Sequence, residues 1–549
     1  MLCPTCGRDQ VYTNRFDISS VSPAINEMLR QFPSTVASTF HSSISQMLSD
    51  VEADFSYYGS EISGLQTRLL YLRTKQNLLK KHRERLQSLS SPIRKLPIEL
   101  LTQIFTFVCD IEAVRIDKSA RHFVGWRSPF VLASVCNGWR QIVTASPQMW
   151  SNLYYDNDFY GPPFEAALRL CLERSKSYPL SLKIDILGGS TSTSLLELLV
   201  EQSTRWRHVQ ILVGTSLSES PLSIMTGKPL QLLESLEILD CDDEYCDLNA
   251  FQSVPRLRSL HLDAMPALNT ALDFPFANIS HLKLTCHRWN TIFRALEAFP
   301  NLQSVIYQGF DPETAPGDVA SQTSNLSKLE FWLDGDHTES PDSDDHNQLR
   351  VMFEKLTLPS LNSFTLMSTD WISPLGLFKA IWPREAVSQF FERSKCSLTI
   401  LCLDYIPLSD KDAILLLRLV PSLQELRIKE IHRKSYNFEL WLFKYPDLIT
   451  PSFLTALHAY DSTQEQGTIS SPLVPSLQRL EFLADGDLFD DQLFLEMVVS
   501  RWMPDKEYAS VVGVSSLQSV KVGVKGRELK EDVEQRLLHL GRAGLKVMI

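Results

Sequence analysis

The chain has 549 residues, of which 44% are hydrophobic and 21% charged, the proportions of a chain that buries a core, so wholesale disorder is excluded. A formal charge of −12 and a pI near 5.6 oppose a phosphate backbone rather than attract one, so neither nucleic acid nor an anionic membrane is an expected partner. No apolar run of about eighteen residues occurs, so no bilayer span is expected, and Met1 to Asn14 lack the apolar centre of a secretory signal.

The chain opens with Cys3-Pro4-Thr5-Cys6-Gly7, half of a zinc knuckle. Two thiolates at this spacing can grip a tetrahedral ion, but a structural site needs four ligands and no second CxxC exists. Cys3 and Cys6 are weak metal candidates, and no cofactor is expected. Five of the ten cysteines adjoin, or share a predicted strand with, Ile, Val, Leu or Phe. That pattern suits reduced core thiols and a cytoplasmic or nuclear location. The rest of 1–58 is rich in Ser and Thr, with Pro23 and Pro33 as breakers, and reads as a loosely ordered lead-in.

Over 59–91, the residues Ile62, Leu65, Leu69, Leu72, Gln76, Leu79, Arg83 and Leu86 alternate spacings of three and four. This is a heptad seam on a predicted helix. The helix either packs on its own chain or self-associates as a short coiled coil through Ile62 to Leu86. The basic run from Arg73 to Arg85 reads as a solvated face. Ser90, Ser91 and Pro92 end the helix, because a proline disfavours helical backbone in the residue before it.

Next comes a segment over 92–152. Pro97 suits a first helical turn, Glu99 complements a helix N-terminus, and Leu100, Leu101, Ile104, Phe105 and Val108 form one apolar stripe. A second helical run is predicted from about Phe130 to Ala145, with Val131, Leu132, Val135, Cys136, Trp139, Ile142 and Val143. Two such helices are too small for a stable core alone, so a partner protein or the following chain must cover them.

From 165 to 549 the chain repeats. L-x-x-L-x-L, with aliphatic or aromatic substitutions, recurs at Leu233/Leu236/Ile238, Leu257/Leu260/Leu262, Ile279/Leu282/Leu284, Leu302/Val305/Tyr307, Leu326/Leu329/Phe331, Leu361/Phe364/Leu366, Leu398/Leu401/Leu403, Leu423/Leu426/Ile428, Leu477/Leu480/Phe482 and Leu517/Val520/Val522. Short leads such as Pro300-Asn301-Leu302 and Pro421-Ser422-Leu423 end one segment and admit an extended strand. Trp289 to Phe299 and Asp410 to Val420 carry helical stripes between strands. Leu180 to Ile186 and His208 to Val213, separated by the helix-like Thr193 to Gln202, begin the array as degenerate units. The expected fold is α+β: a helical segment followed by an irregular strand-and-helix leucine-rich-repeat solenoid of α/β horseshoe type. Residues between the inward leucines, such as Arg258 and His261, would line a concave sheet and meet a protein partner.

The acidic loop Asp334 to Asp345 departs from the spacing of a calcium-binding loop and reads as solvated. No phosphate loop, nucleophile elbow or HExxH occurs in supporting context, so a non-catalytic protein is expected.

Leu96-Pro97-Xaa-Glu99-Leu100-Leu101-Xaa-Xaa-Ile104-Phe105, then Val135-Cys136-Xaa-Xaa-Trp139-Arg140-Xaa-Ile142, then Ser146-Pro147-Xaa-Xaa-Trp150, resemble the F-box family. The arrangement is most similar to fungal F-box-like proteins with a heptad helix before the box and leucine-rich repeats after it. The resemblance implies docking on the Skp-type adaptor of a cullin-type (SCF) ubiquitin ligase through Leu96, Pro97, Leu100, Leu101, Ile104, Val135 and Trp139. It further implies that the repeats recruit an unknown protein substrate. The alternative is a repeat scaffold without ubiquitin transfer. Two departures stand out: Asp110 to Ser128 separates the helical pieces where compact members have a short link, and of the repeat positions that the family usually fills with Asn or Cys only Cys241 fits, while Met265, His287, Phe310 and Ile431 do not.

Overall fold

The computed structural model describes residues 41–111, 114–115, 129–156, 162–186, 193–213, 224–239, 245–246, 248–266, 274–285, 291–308, 319–333, 348–368, 382–406, 408–430, 447–459 and 472–549, with six isolated positions before 41. Cys3, Cys6, the Asp334 to Asp345 loop and most of the 110–128 link lie outside these residues. The chain divides into two compact units, Met1–Leu101 and Thr102–Ile549.

In the first unit, helix α1 (His41–Leu89) runs for 49 residues, about 73 Å at the usual rise per residue. It begins at His41, well inside the stretch expected to be a loose lead-in. The seam continues upstream through Leu48, Val51, Phe55 and Tyr58 at the same spacing. The abundant serines, weak helix formers, masked it. From Ile62 to Leu89 every residue is exposed, so this part of the seam is not packed on the described chain. The turn Pro92–Lys95 follows, tied back by Arg94 Nε donating to the Ser88 carbonyl at 2.8 Å. Helix α2 (Ile98–Ile111) then starts.

The second unit is one parallel sheet with return segments on its other side. Its first strands are β1 (Val114–Arg115), β2 (Asn152–Asp156), β3 (Leu180–Asp185), β4 (Trp206–Leu212), β5 (Ser235–Leu239), β6 (Ser259–Leu262), β7 (His281–Thr285) and β8 (Ser304–Gln308). The sheet continues through β9 (Lys328–Leu333), β10 (Ser363–Ser368), β11 (Ile400–Asp404), β12 (Glu425–Lys429), β13 (Arg479–Asp485), β14 (Ser519–Lys525) and β15 (Lys546–Met548). Each strand pairs with the next along the chain, so every unit adds one strand and one return, as in a leucine-rich-repeat solenoid.

The ten leucine-type triplets account for this architecture. Each places its second and third members on a strand from β5 to β14, and no triplet residue is more than 3% exposed. Burying such a side chain contributes about 1.5–3 kcal/mol relative to leaving it in water. The polar residue after each first member carries a backbone ladder between units: Gln303 N donates to Ser280 O at 2.8 Å, Asn362 N to Ser327 O at 2.9 Å, and Gln518 N to Gln478 O at 2.7 Å. Stacking therefore does not need the missing asparagines.

Return segments vary in their secondary structure. Helices α7 (Thr291–Ala298) and α10 (Asp410–Leu419) stand where their stripes place them, alongside others such as α9 (Arg384–Ser394) and α12 (Asp491–Arg501). Between β5 and β7 the described residues of the returns hold the 3₁₀ turns Asn249–Phe251 and Phe276–Asn278, and the short strands Tyr245–Cys246 and Met265–Pro266 pair in parallel.

Two expectations change. The run from Phe130 to Ala145 is two helices, α3 (Pro129–Val135) and α4 (Asn137–Ala145), parted at Cys136 by extended backbone with φ −160° and ψ 169°. The sheet also begins before residue 165, because Trp150/Leu153/Tyr155 is itself a triplet, with all three members buried. Its Trp150 Nε1 donates to Val143 O at 2.8 Å, and Trp206 Nε1, opening the triplet Trp206/Val209/Ile211, donates to Leu199 O at 3.0 Å. Both bonds reach seven residues back, so the two units share one construction.

Candidate functional site

Between the inward members of each triplet, one side chain faces the open side of the sheet. Strand register aligns these into a column: Tyr154, Lys183, Gln210, Glu237, His261, Lys283, Ile306 and Glu330. After Thr365 and Cys402 it resumes at Arg427, Glu481 and Lys521. Its charges alternate in sign.

From β4 to β9 the column forms a polar belt broken at Ile306 on β8. Gln210 Nε2 donates to Glu237 Oε2 at 2.8 Å, His261 Nδ1 lies 3.5 Å from the same oxygen, and His261 Nε2 lies 3.0 Å from Thr285 Oγ1. Hydrogen bonding from His261 holds the Glu237 carboxyl below its ordinary range, against the opposing effect of partial burial. Lys283 and Trp332 close the belt with a cation–π contact.

The face is covered at Ser363, Thr365, Cys402 and Asp404, all buried. Beyond it lies a charged ledge. Asp404 accepts from Arg427 Nη2 at 3.0 Å and Lys429 Nζ at 3.1 Å, and Lys525 Nζ stands 4.7 Å over the Tyr405 ring. Burial pushes the Glu430 carboxyl up even though the backbone N–H groups of Ile449, Asp485 and Leu448 bond to it. Among the described residues no group of three His, Cys, Asp or Glu could hold a metal ion, and no helix is long and apolar enough to cross a membrane.

The residues assigned to adaptor docking divide between the two units. In the first, Leu96 is half-buried, Pro97 exposed and Leu101 buried, while Leu100 is 46% exposed. In the second, Ile104 and Val135 are 43% and 56% exposed, and half-buried Trp139 lies against Phe105, ring centres 4.5 Å apart. Phe105, Cys109, Val143, Met149 and Trp150 are core, and Gln148 Nε2 donates to Thr106 Oγ1 at 2.9 Å. The expected stripe on α2 is thus split: Leu101 and Phe105 turn inward, Leu100 and Ile104 outward. Phe107 and Val131, which are not among the residues assigned to docking, are also exposed. Their apolar character was legible, but which face they occupy was not.

This fold and face define a leucine-rich-repeat type of solenoid. No protein-family model matches the chain, and no curated protein does. Among solved structures, one described as the crystal structure of a TLR13-ssRNA13 complex is similar over 69% of this chain, at 12% identity and a TM-score of 0.24. The chain spans 59% of that structure's length, and a likeness at this level carries no argument about ligand or activity.

Proposed function

We propose that this chain is a non-catalytic protein-interaction scaffold that holds a protein partner against the open face of its sheet. The observation that supports this most is the column's alternation of sign: Lys183, Glu237, Lys283, Glu330, Arg427, Glu481 and Lys521 follow one another across the strands. A nucleic-acid face needs a basic stripe, whereas mixed charges with an interleaved tryptophan suit a protein surface. A cytoplasmic or nuclear location belongs to the same proposal. The test is affinity capture with the wild-type chain and with a Glu237→Lys/Lys283→Glu/Glu330→Lys variant. Proteins held by the face are lost from the variant; an unchanged captured set rejects the reading.

A second reading, that the scaffold is the substrate receptor of a cullin-type ubiquitin ligase, is favoured by one observation. Leu100, Ile104, Phe107, Val131 and Val135 keep large apolar side chains in solvent, as a docking surface for the Skp-type adaptor requires. In this reading Leu96, Pro97, Leu100, Leu101, Ile104, Val135 and Trp139 serve that interface. Co-purification with the adaptor should be lost in Leu100→Ala/Ile104→Ala, since truncating an interface anchor costs about 2 kcal/mol or more. Wild-type binding by the double variant returns the protein to a scaffold without ubiquitin transfer.

A further inference from the structure

Helix α1 carries its heptad seam over its whole length. One set of seam positions holds His41, Leu48, Phe55, Ile62, Leu69, Gln76 and Arg83; the other holds Ile44, Val51, Tyr58, Leu65, Leu72, Leu79 and Leu86. Leu48, Val51, Phe55, Tyr58, Ile62, Leu65, Leu69, Leu72, Leu79 and Leu86 are all exposed. An apolar ridge of this length on one helix is a coiled-coil surface awaiting a second strand.

The charges beside the seam say what that strand is. From His41 to Leu65 the helix carries Asp50, Glu52 and Glu61, besides the buried Asp54, and no Lys or Arg. From Gln66 to Leu89 it carries Arg68, Arg73, Lys75, Lys80, Lys81, Arg83 and Arg85 against Glu84 alone. Two parallel copies would set Arg68 beside Arg73 and Lys75 beside Lys80 at the flanks, like against like. Reversing one copy sets the acidic half against the basic half.

We infer that α1 pairs with α1 of a second copy of this chain as an antiparallel coiled coil spanning His41–Leu89. Seam alternation fixes the register. Ile62 packs against the second copy's Leu65, Phe55 against its Leu72 and Leu48 against its Leu79. At the flanks Glu61 meets the second copy's Arg68, and Glu52 meets its Arg73. Each contact occurs twice by symmetry. Gln76 and Arg83 fall toward the ends of the paired region, where polar seam residues discourage slipped registers. The two chains leave the coiled coil at opposite ends, which makes the scaffold bivalent.

The test is sedimentation equilibrium of the full chain from nanomolar to micromolar concentration, with circular dichroism to confirm that each variant folds. The expected wild-type species has twice the 62.5 kDa chain mass. Leu65→Asp/Leu72→Asp should return it to a single chain. Arg68→Glu converts both symmetric Glu61 contacts from attraction to repulsion and should weaken the dimer about tenfold. Adding Glu61→Lys should restore it. A wild-type single chain, a larger assembly, or a dimer indifferent to the Leu65/Leu72 substitutions overturns the proposal. A dimer that tightens with Arg68→Glu overturns the antiparallel arrangement, because a parallel pair would gain an Arg73 contact.

Discussion

Lys283 Nζ stands 4.8 Å from the centre of the Trp332 ring, although the two residues sit on β7 and β9 with β8 between them. The contact therefore bridges a strand on the open face, where Trp332 Nε1 also donates to Glu330 Oε2 at 3.2 Å. A rigid aromatic held in this way is a natural anchor for a protein partner. Trp332→Ala is expected to weaken partner binding by about 2 kcal/mol or more while costing the fold only about 0.5–1 kcal/mol of cation–π attraction. Isothermal titration beside a thermal melt separates the two; a large loss of stability with unchanged affinity would make Trp332 structural.

The polar belt sets a pH dependence. Because hydrogen bonding from His261 lowers the folded pKa of Glu237, this group's stabilisation is fully present above the ordinary carboxylate range and is lost as pH falls through the depressed folded value. Glu430 works in the opposite sense. Burial raises its folded pKa, so its contribution declines as pH rises from the ordinary value to the raised one. Glu237→Gln should lower the melting temperature at pH 7 and match wild type once both are measured below the folded pKa of Glu237. A constant deficit at every pH contradicts the assignment.

Arg501 on α12 is fully buried and donates to the carbonyls of Leu457, Leu473 and Val474. Burial draws its pKa down to about 10, which leaves it charged at neutral pH. Arg501→Met leaves these buried carbonyls without their donor and should cost about 1–3 kcal/mol, the penalty of leaving buried acceptors unsatisfied. The urea midpoint should fall accordingly, and an unchanged midpoint counts against this role.

Gly486 and Gly523 offer a matched pair. A Cβ on Gly486 would meet the Lys525 carbonyl oxygen at 2.5 Å, whereas one on Gly523 would meet only the Leu483 Cδ1 methyl at 3.0 Å. Backbone cannot yield as a methyl can, so Gly486→Ala is expected to lose about 1–3 kcal/mol and Gly523→Ala clearly less. Chemical denaturation of the two variants checks the order.

Much of the repeat domain was legible because its physics is local. A strand shows its inward side chains at a period of two, and Leu361/Phe364/Leu366 announces that pattern however long the insertion beside it. Trp150/Leu153/Tyr155 obeys the same rule, but a tryptophan in place of the first leucine hides the register and leaves Trp150 with the segment over 92–152. The belt from Gln210 to Trp332 could not be seen, because its members are joined across strands rather than along the chain.

By itself the sequence determined the alternation of strands and returns, the thirty inward side chains of the ten triplets and the Ile62 to Leu86 part of the α1 seam, all of which are periodicities of one chain segment. Tertiary structure decided which exposed residues stand side by side, that the sheet starts at β1, and that α2 turns Phe105 inward and leaves Ile104 in solvent. The physical reason is range. Periodicity is set by backbone geometry within a few residues, whereas the side of a helix that is buried depends on what distant segments bring against it.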